Sequence, residues 1–328
     1  MKKTNRPNSG PRRAAIDERM RASIRRAARL IRQGKLVAFP TETVYGLGAN
    51  ALDAAAVRRI FEAKGRPSSS PLIVHVDSVE RARELVAEWP DAAVKLAERF
   101  WPGPLTLVLP KRSVVPDVVT AGLGTVGVRM PDHPVALELI REAGVPIAAP
   151  SANPFTGLSP TEAEHVRAAL RERVDYLIDG GAAPVGIEST VLSLASGAPV
   201  LLRPGMVSRE EIEVVVGPLG GPVTSGAEAA HPSPGLHRKH YAPATPLLLV
   251  EEGRLPAKGR GAYLWRRTPA AAARAIRMPA TPAEYAARLY GLLHELDREG
   301  WDWIAVEAPP ESTAWEAVRD RLRRASRR

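Results

Sequence analysis

The residues best suited to chemistry fall in four separated segments: Pro40-Thr41-Glu42-Thr43-Val44-Tyr45-Gly46-Leu47-Gly48, Lys64-Gly65-Arg66-Pro67, Val128-Arg129-Met130-Pro131 and Pro150-Ser151-Ala152-Asn153. Lys64 offers a compact point charge and Arg66 a planar fork suited to bidentate contact with a phosphate. Ser68, Ser69 and Ser70 add hydroxyls in the same turn, so the segment reads as a phosphate clamp. It reads equally as a helix C-cap, where a cation meets the carbonyl end and glycine takes the left-handed position. Ser151 and Asn153, at i and i+2, share one face of an extended segment; a turn before Pro154 would account for them as well. Ser159, just before Pro160, also suits a helix N-cap.

Arg129 and Arg203 each end an apolar run and are soon followed by proline. They would emerge from one sheet edge if their strands run parallel. Thr43 and Tyr45 beside Gly46 and Gly48 mark a place where backbone can approach a small polar substrate closely, or a glycine-rich turn between strand and helix. His75, inside the run Leu72 to Val76, taken alone reads as a core histidine.

The missing residues narrow the reaction. There is no Walker A loop, and Gly46-Leu47-Gly48 has no glycine at position 51 to make a dinucleotide fingerprint. With 0 cysteines, disulfides, thiolate metal sites and cysteine nucleophiles are excluded. No Ser-His-Asp order occurs, and Glu42, Asp132 and Glu188 read as isolated acids. His231, His237 and His240 have no matching carboxylate spacing, so no metal site is expected there; a loop folding over the site is the better reading. Charge neutralisation and positioning remain, with the nucleophile supplied by substrate: phosphoryl or nucleotidyl transfer.

The elements that must position these groups alternate in type. Apolar runs at Leu36 to Phe39, Leu72 to Val76, Leu105 to Leu109, Val126 to Met130, Pro146 to Ala149, Tyr176 to Asp179, Thr190 to Leu194 and Val200 to Leu202 predict strands. Helical spacing predicts helices over Ser23 to Gly34, Ala54 to Lys64, Val79 to Trp89, Asp91 to Phe100, Pro134 to Glu142 and Thr161 to Arg173. This alternation implies an α/β sandwich. From Gly217 to Pro246 the pattern dissolves into Gly, Pro, Ser, Ala and His, a linker composition. Strands at Leu247 to Val250, Ala262 to Trp265 and Ile304 to Glu307, with helices Pro282 to Glu299 and Ala314 to Arg324, predict a second domain near the size limit for folding unaided. The 328 residues therefore divide into a basic extension (1–20), a main α/β domain (21–216), a linker (217–245) and a small Rossmann-like α/β domain (246–328).

Forty-five per cent hydrophobic and 25% charged residues describe an ordinary soluble protein. Much of the +10 net charge sits in the tails, Lys2 to Arg26 and Arg319 to Arg328, as solvated extensions or as segments that track RNA. No signal-peptide core and no apolar run near 18 residues is present, so the cytoplasm is the expected location and no membrane is involved.

Together, Pro40 to Gly48, Lys64 to Leu72, Arg129, Pro150 to Asn153, Glu188 to Thr190 and Arg203-Pro204-Gly205 resemble the YrdC-like threonylcarbamoyladenylate synthases over residues 20 to 215. Pro234-Gly235 and His240-Tyr241-Ala242-Pro243, before a small α/β domain, resemble the long form of that family. The resemblance implies a twisted mixed sheet flanked by helices around a positively charged cavity. It also implies a reaction: L-threonine, bicarbonate and ATP, the last with Mg2+, give threonylcarbamoyl-adenylate and pyrophosphate. A separate tRNA threonylcarbamoyl transferase then uses the product on the adenosine at position 37. Implied nucleotide contacts are Arg66, Ser70, Thr125, Ser151, Ser159, Arg203 and Tyr241, with Lys64 and Asn153 in the same polar cluster. Thr43, His75, Arg129, Ala149 and Ser189 would hold threonine. Ser70 departs from the asparagine expected in many relatives. One rival is a module binding tRNA or double-stranded RNA through its cationic cavity. Another, a carbamoyl-handling domain of hydrogenase maturation proteins, lacks here the cysteine zinc fingers of that group.

Overall fold

The computed structural model describes residues 16–221, 240–251 and 253–327. The first domain holds strands β1 (Val37–Phe39), β2 (Gly46–Asn50), β3 (Ile73–His75), β4 (Leu105–Pro110), β5 (Thr125–Arg129), β6 (Ile147–Ala148), β7 (Tyr176–Leu177), β8 (Thr190–Ser193) and β9 (Val200–Arg203). Its helices are α1 (Glu18–Arg32), α2 (Ala54–Lys64), α3 (Val79–Leu85), α4 (Asp91–Phe100), α5 (Asp117–Thr120), α6 (Pro134–Ala143), α7 (Ala163–Leu170) and α8 (Arg209–Val216). The strands form one mixed sheet in the order β7-β1-β2-β6-β3-β5-β4-β8-β9. The expected mixed α/β architecture is therefore present.

Local chemistry explains most boundaries. Helix α1 starts at Glu18, ahead of the expected Ser23, because Asp17 accepts the Met20 amide at 2.7 Å. Its stripe of Ile24, Ala27, Ala28 and Ile31 is buried in a cluster with Val135, Leu139 and Ile140 of α6. Helix α8, which hydrophobic runs did not reveal, is announced by a capping box between Ser208 and Glu211. Gly65 caps α2 in the left-handed conformation, φ 61°, so the cap reading of Lys64-Gly65-Arg66 holds whatever else these side chains do.

One strand lies where the sequence offered only a close backbone approach or a turn. Gly46 to Asn50 is strand β2, antiparallel to both β1 and β6, not the turn that its glycines suggested. These glycines make room across the sheet. A Cβ on Gly48 would lie 2.7 Å from the Phe39 ring and 2.8 Å from Ile147 Cγ2. Gly48→Ala is expected to lower stability by about 1–3 kcal/mol through overpacking, read as a lower urea midpoint at unchanged slope; an unchanged midpoint would show that the sheet yields at that point.

Strand direction places the arginines. β5 is antiparallel to β4, β4 is parallel to β8, and β8 is antiparallel to β9. β5 and β9 therefore run the same way, and Arg129 and Arg203, their last residues, reach the same edge of the sheet.

The second domain is an all-parallel sheet in the order β10-β13-β11-β12, from β10 (Leu247–Val250), β11 (Gly261–Trp265), β12 (Arg274–Arg277) and β13 (Trp303–Glu307). Helices α9 (Pro282–Asp297) and α10 (Glu316–Ala325) pack on it. Strand β12 lies at the sheet edge with its arginine at each end, and its mixed composition hid it from a search for apolar runs. The two domains share a core. Val44, Leu158, Ile187 and Tyr241 pack in one buried cluster with Tyr285, Leu289, Tyr290 and Leu293 of α9. The linker, expected to fold over the site, thus ends in this shared interior with Tyr241, while residues 222–239, with His231, Pro234-Gly235 and His237, lie outside the described residues.

Candidate active site

A cleft with about 540 Å3 of void, counted out to solvent, opens where β3, β5 and the loop after β6 meet the approach to β8. Arg66, Arg129 and Arg203 all line it and are all buried, at 7, 3 and 3% exposure. Cations of this kind, brought to one hollow from a helix end and two strand ends, make an anion site. Thr43, His75, Ala149, Ser151, Ser189 and Tyr241 line the same cleft. Nine of the expected residues thereby converge.

On one side, Arg129 Nη1 donates to Thr43 Oγ1 at 3.0 Å, and Nη2 lies 2.6 Å from Glu42 Oε1. Thr43 is itself fixed by Thr41, whose hydroxyl is 2.8 Å away. Glu42 is no isolated acid: it balances Arg129 in a dry setting where an unpaired carboxylate would be costly. His75 faces the cleft, and its Nδ1 has no hydrogen-bond partner among the described residues. Burial, reinforced by Arg129, pushes its pKa down to about 3, so the ring is neutral.

On the other side, Arg66 donates to the carbonyls of Ser70 (3.4 Å) and Pro71 (3.1 Å), with Phe155 beneath its guanidinium at 5.7 Å. Burial lowers its pKa to about 10, leaving it charged. Arg203 donates to the Ser189 carbonyl at 3.0 Å and to its hydroxyl at 3.1 Å. Tyr241 closes this side. Its φ of 61° is unusual for a bulky residue and is held in place by its neighbours: the Ala242 amide donates to Thr156 O at 3.0 Å, and the His240 ring stands edge-on to Phe155.

The remaining expected residues stand behind the cleft. The Lys64 ammonium donates to the Ser151 carbonyl at 2.6 Å and to the Asn153 carbonyl, tying the loop after β6 to the end of α2. Burial, with Arg66 and Arg173 nearby, pushes its pKa well below the usual lysine value. Asn153 Nδ2 donates to the carbonyls of Pro154 and Gly157 at 2.8 and 2.9 Å, bracing the same loop. Ser70 is buried at the turn that Arg66 holds. Thr125 lines a neighbouring hollow with Thr106 and Val191, whose wall shares Ile73 with the cleft. Ser159 is buried and donates to Glu188 Oε1 at 2.5 Å.

Glu188 was read as an isolated acid and is the reverse. It lines the cleft, and its Oε2 lies 2.7 Å from Arg321 Nε, which comes from α10 of the second domain. Burial alone would raise its pKa, but Arg321 and Arg203 together with bonds from Ser159 and Arg321 hold it below the carboxylate range. Arg321 carries no local signal that could have marked it; it sits within a run of terminal arginines.

Neutral buried histidines give the protein an acid-sensitive side. His165, like His75, has its pKa pushed down by burial to about 3. An unfolded histidine titrates near 6.5, so between about pH 6.5 and 3 the unfolded chain binds more protons. Stability is full above pH 6.5 and falls as the pH drops. Thermal melts are expected to lose midpoint steadily from pH 7 to pH 5, with a shallower loss in His75→Asn; a flat profile would contradict the burial of these rings.

Comparison with known proteins places the chain in a family. The family profile described as Telomere recombination (Sua5, YciO, YrdC) matches residues 29–205, and that of the threonylcarbamoyl-AMP synthase C-terminal domain matches residues 207–327. The threonylcarbamoyl-AMP synthase of Pyrococcus abyssi is 47% identical over 325 residues, covering 92% of this chain and 94% of its own. That of Bacillus subtilis is 44% identical over 320 residues, covering 92% of each. The crystal structure of P. abyssi Sua5 complexed with L-threonine superposes with a TM-score of 0.87 at 46% identity, covering 92% of this chain and 94% of that one. With both profiles matched in order and such identity along nearly the whole length, the chain belongs to the threonylcarbamoyl-AMP synthase family, in the form that carries the second, C-terminal domain.

Proposed function

We propose that this chain makes L-threonylcarbamoyl-adenylate from L-threonine, bicarbonate and ATP, releasing pyrophosphate. The observation that carries the reading is the convergence of buried Arg66, Arg129 and Arg203 on a cleft lined with hydroxyls and a neutral histidine. Two anionic groups can be seated there side by side. Arg129 and Thr43 suit the carboxylate of threonine, with His75 and Ala149 shaping the space around its side chain. Arg66, Ser151, Arg203 and Tyr241 suit the phosphates and adenosine. The solved relative with L-threonine bound supports the amino-acid half.

The chemistry asks little covalent help from the protein. The threonine amine attacks the carbon of the carbonate unit, water leaves, and the carbamate oxygen then attacks the α-phosphorus of ATP, expelling pyrophosphate. Charge accumulates on phosphate oxygens, where preorganised guanidinium groups are most effective. Among the described residues no group of three or more His, Cys, Asp or Glu gathers as a metal site; Mg2+ is proposed to enter with ATP, ligated by its phosphates and water.

Further proposals follow from the reaction. The labile adenylate passes to a tRNA threonylcarbamoyl transferase for position 37 of tRNA, in the cytoplasm, and a weak affinity for tRNA or double-stranded RNA would come from the cationic cleft and the +10 net charge. Among the described residues no helix is long and apolar enough to cross a membrane. The test is incubation with ATP, threonine and bicarbonate, followed by mass spectrometry. The expected product is the threonylcarbamoyl adduct of AMP, with pyrophosphate release requiring both co-substrates. Pyrophosphate release indifferent to threonine, or salt-sensitive RNA binding without any adduct, would overturn the reading.

A further inference from the structure

The geometry points to Arg321, in the second domain, as a positioning residue for the nucleotide half of the cleft, acting through Glu188. The inference rests on the nucleotide reading above. Arg321 is fully buried although it lies on an arginine-rich C-terminal helix. Its Nε donates to Glu188 Oε2 at 2.7 Å, its Nη2 reaches the Glu188 carbonyl at 3.3 Å, and its Nη1 is held by Asp320 at 2.8 Å. Its guanidinium carbon also stands 5.2 Å from the Tyr241 ring centre. One side chain therefore grips the cleft acid, its backbone and the closing tyrosine.

Neighbouring contacts point the same way. Tyr290 of α9 donates to Glu188 Oε2 at 3.3 Å and lies 6.1 Å, ring to ring, from Tyr241. Glu188 in turn accepts from Ser159 on its other oxygen, and the next residue, Ser189, carries the carbonyl and hydroxyl that orient Arg203. His294 of α9 contacts the Ser159 carbonyl at 3.1 Å. A second domain serving only as ballast would have no need to spend an arginine, a tyrosine and a histidine on two residues of the first. Gly186 shows how tightly this joint is made, since a Cβ there would meet the Ala286 carbonyl at 2.4 Å. The fork geometry matters: three directed N–H contacts and a ring face cannot be met by an ammonium.

The test uses the full chain and compares R321K, R321M, E188Q and the double variant R321M/E188Q with wild type. The readouts are MgATP affinity by titration calorimetry, separate KM values for ATP and threonine, and thermal midpoint. R321K is expected to weaken MgATP binding and raise the ATP KM at least tenfold, with threonine KM changed less than threefold. R321M leaves a buried carboxylate unpaired and is expected to melt early; the double variant removes that charge, recovers the midpoint and keeps the ATP defect. The ATP losses of R321M and E188Q are expected to be non-additive, because one acts through the other. ATP affinity within twofold of wild type in both R321K and the double variant would overturn the inference. Wild type that binds MgATP yet forms no threonine-dependent adduct would instead overturn the functional reading, with Arg321 still judged by binding.

Discussion

Arg66→Ala is expected to lower threonine-dependent pyrophosphate release by one to two orders of magnitude, with most of the loss in the ATP KM. Each charge-assisted bond to a phosphate is worth about 1.5–3 kcal/mol, and about 1.4 kcal/mol is a factor of ten in rate. Arg66 stays charged in its buried setting, and its contacts within the protein are with two neutral carbonyls and a ring face. Its charge is thus held ready for an anion in the cleft. Stability should change less than activity, since removing a desolvated cation offsets the bonds lost to Ser70 and Pro71. Arg66→Lys should recover charge without the fork and therefore only part of the rate. Wild-type kinetics in Arg66→Ala would remove this residue from the site.

Lys64→Met is expected to cost at least tenfold in the same assay, but by another route. The ammonium is committed to the Ser151 and Asn153 carbonyls, so methionine leaves two buried acceptors without their donor, at about 1–3 kcal/mol each. Activity should fall because Ser151 and the loop after β6 lose their anchor, and the thermal midpoint should fall with it. This separates two roles that the segment Lys64-Gly65-Arg66 leaves open. A direct phosphate clamp would lose ATP affinity at constant stability; a tether loses both together. Melting and ATP titration of one variant distinguish them, and an unchanged midpoint would refute the tether.

Much of the site was legible because strand ends concentrate polar residues immediately after apolar runs. Arg129 and Arg203 were readable as partners because each ends a run and precedes proline, and the parity of strand directions across β5, β4, β8 and β9 puts both at one edge. Residues that depend on distant contacts were not legible. Glu42 and Glu188 looked isolated because their cations lie 87 and 133 positions away along the chain, by the numbering of Arg129 and Arg321. Strand β2 escaped the search for apolar runs because its glycines, which locally suit a turn or a close backbone approach, answer to the Phe39 and Ile147 side chains that press on them from neighbouring strands.

Local signals sufficed for the class of fold, for the glycine cap that ends α2, for the cationic and hydroxyl inventory of the cleft, and for the absence of any thiol chemistry. These depend on residue type and on spacing within a few positions, where helix and strand periodicity act. The pairing of each buried charge, the commitment of Lys64 to carbonyls, and the entry of Arg321 and Tyr290 into the back of the cleft came from packing. A buried ion needs a partner at hydrogen-bond distance wherever the chain can supply one, and no rule of local spacing says that it must come from the next domain.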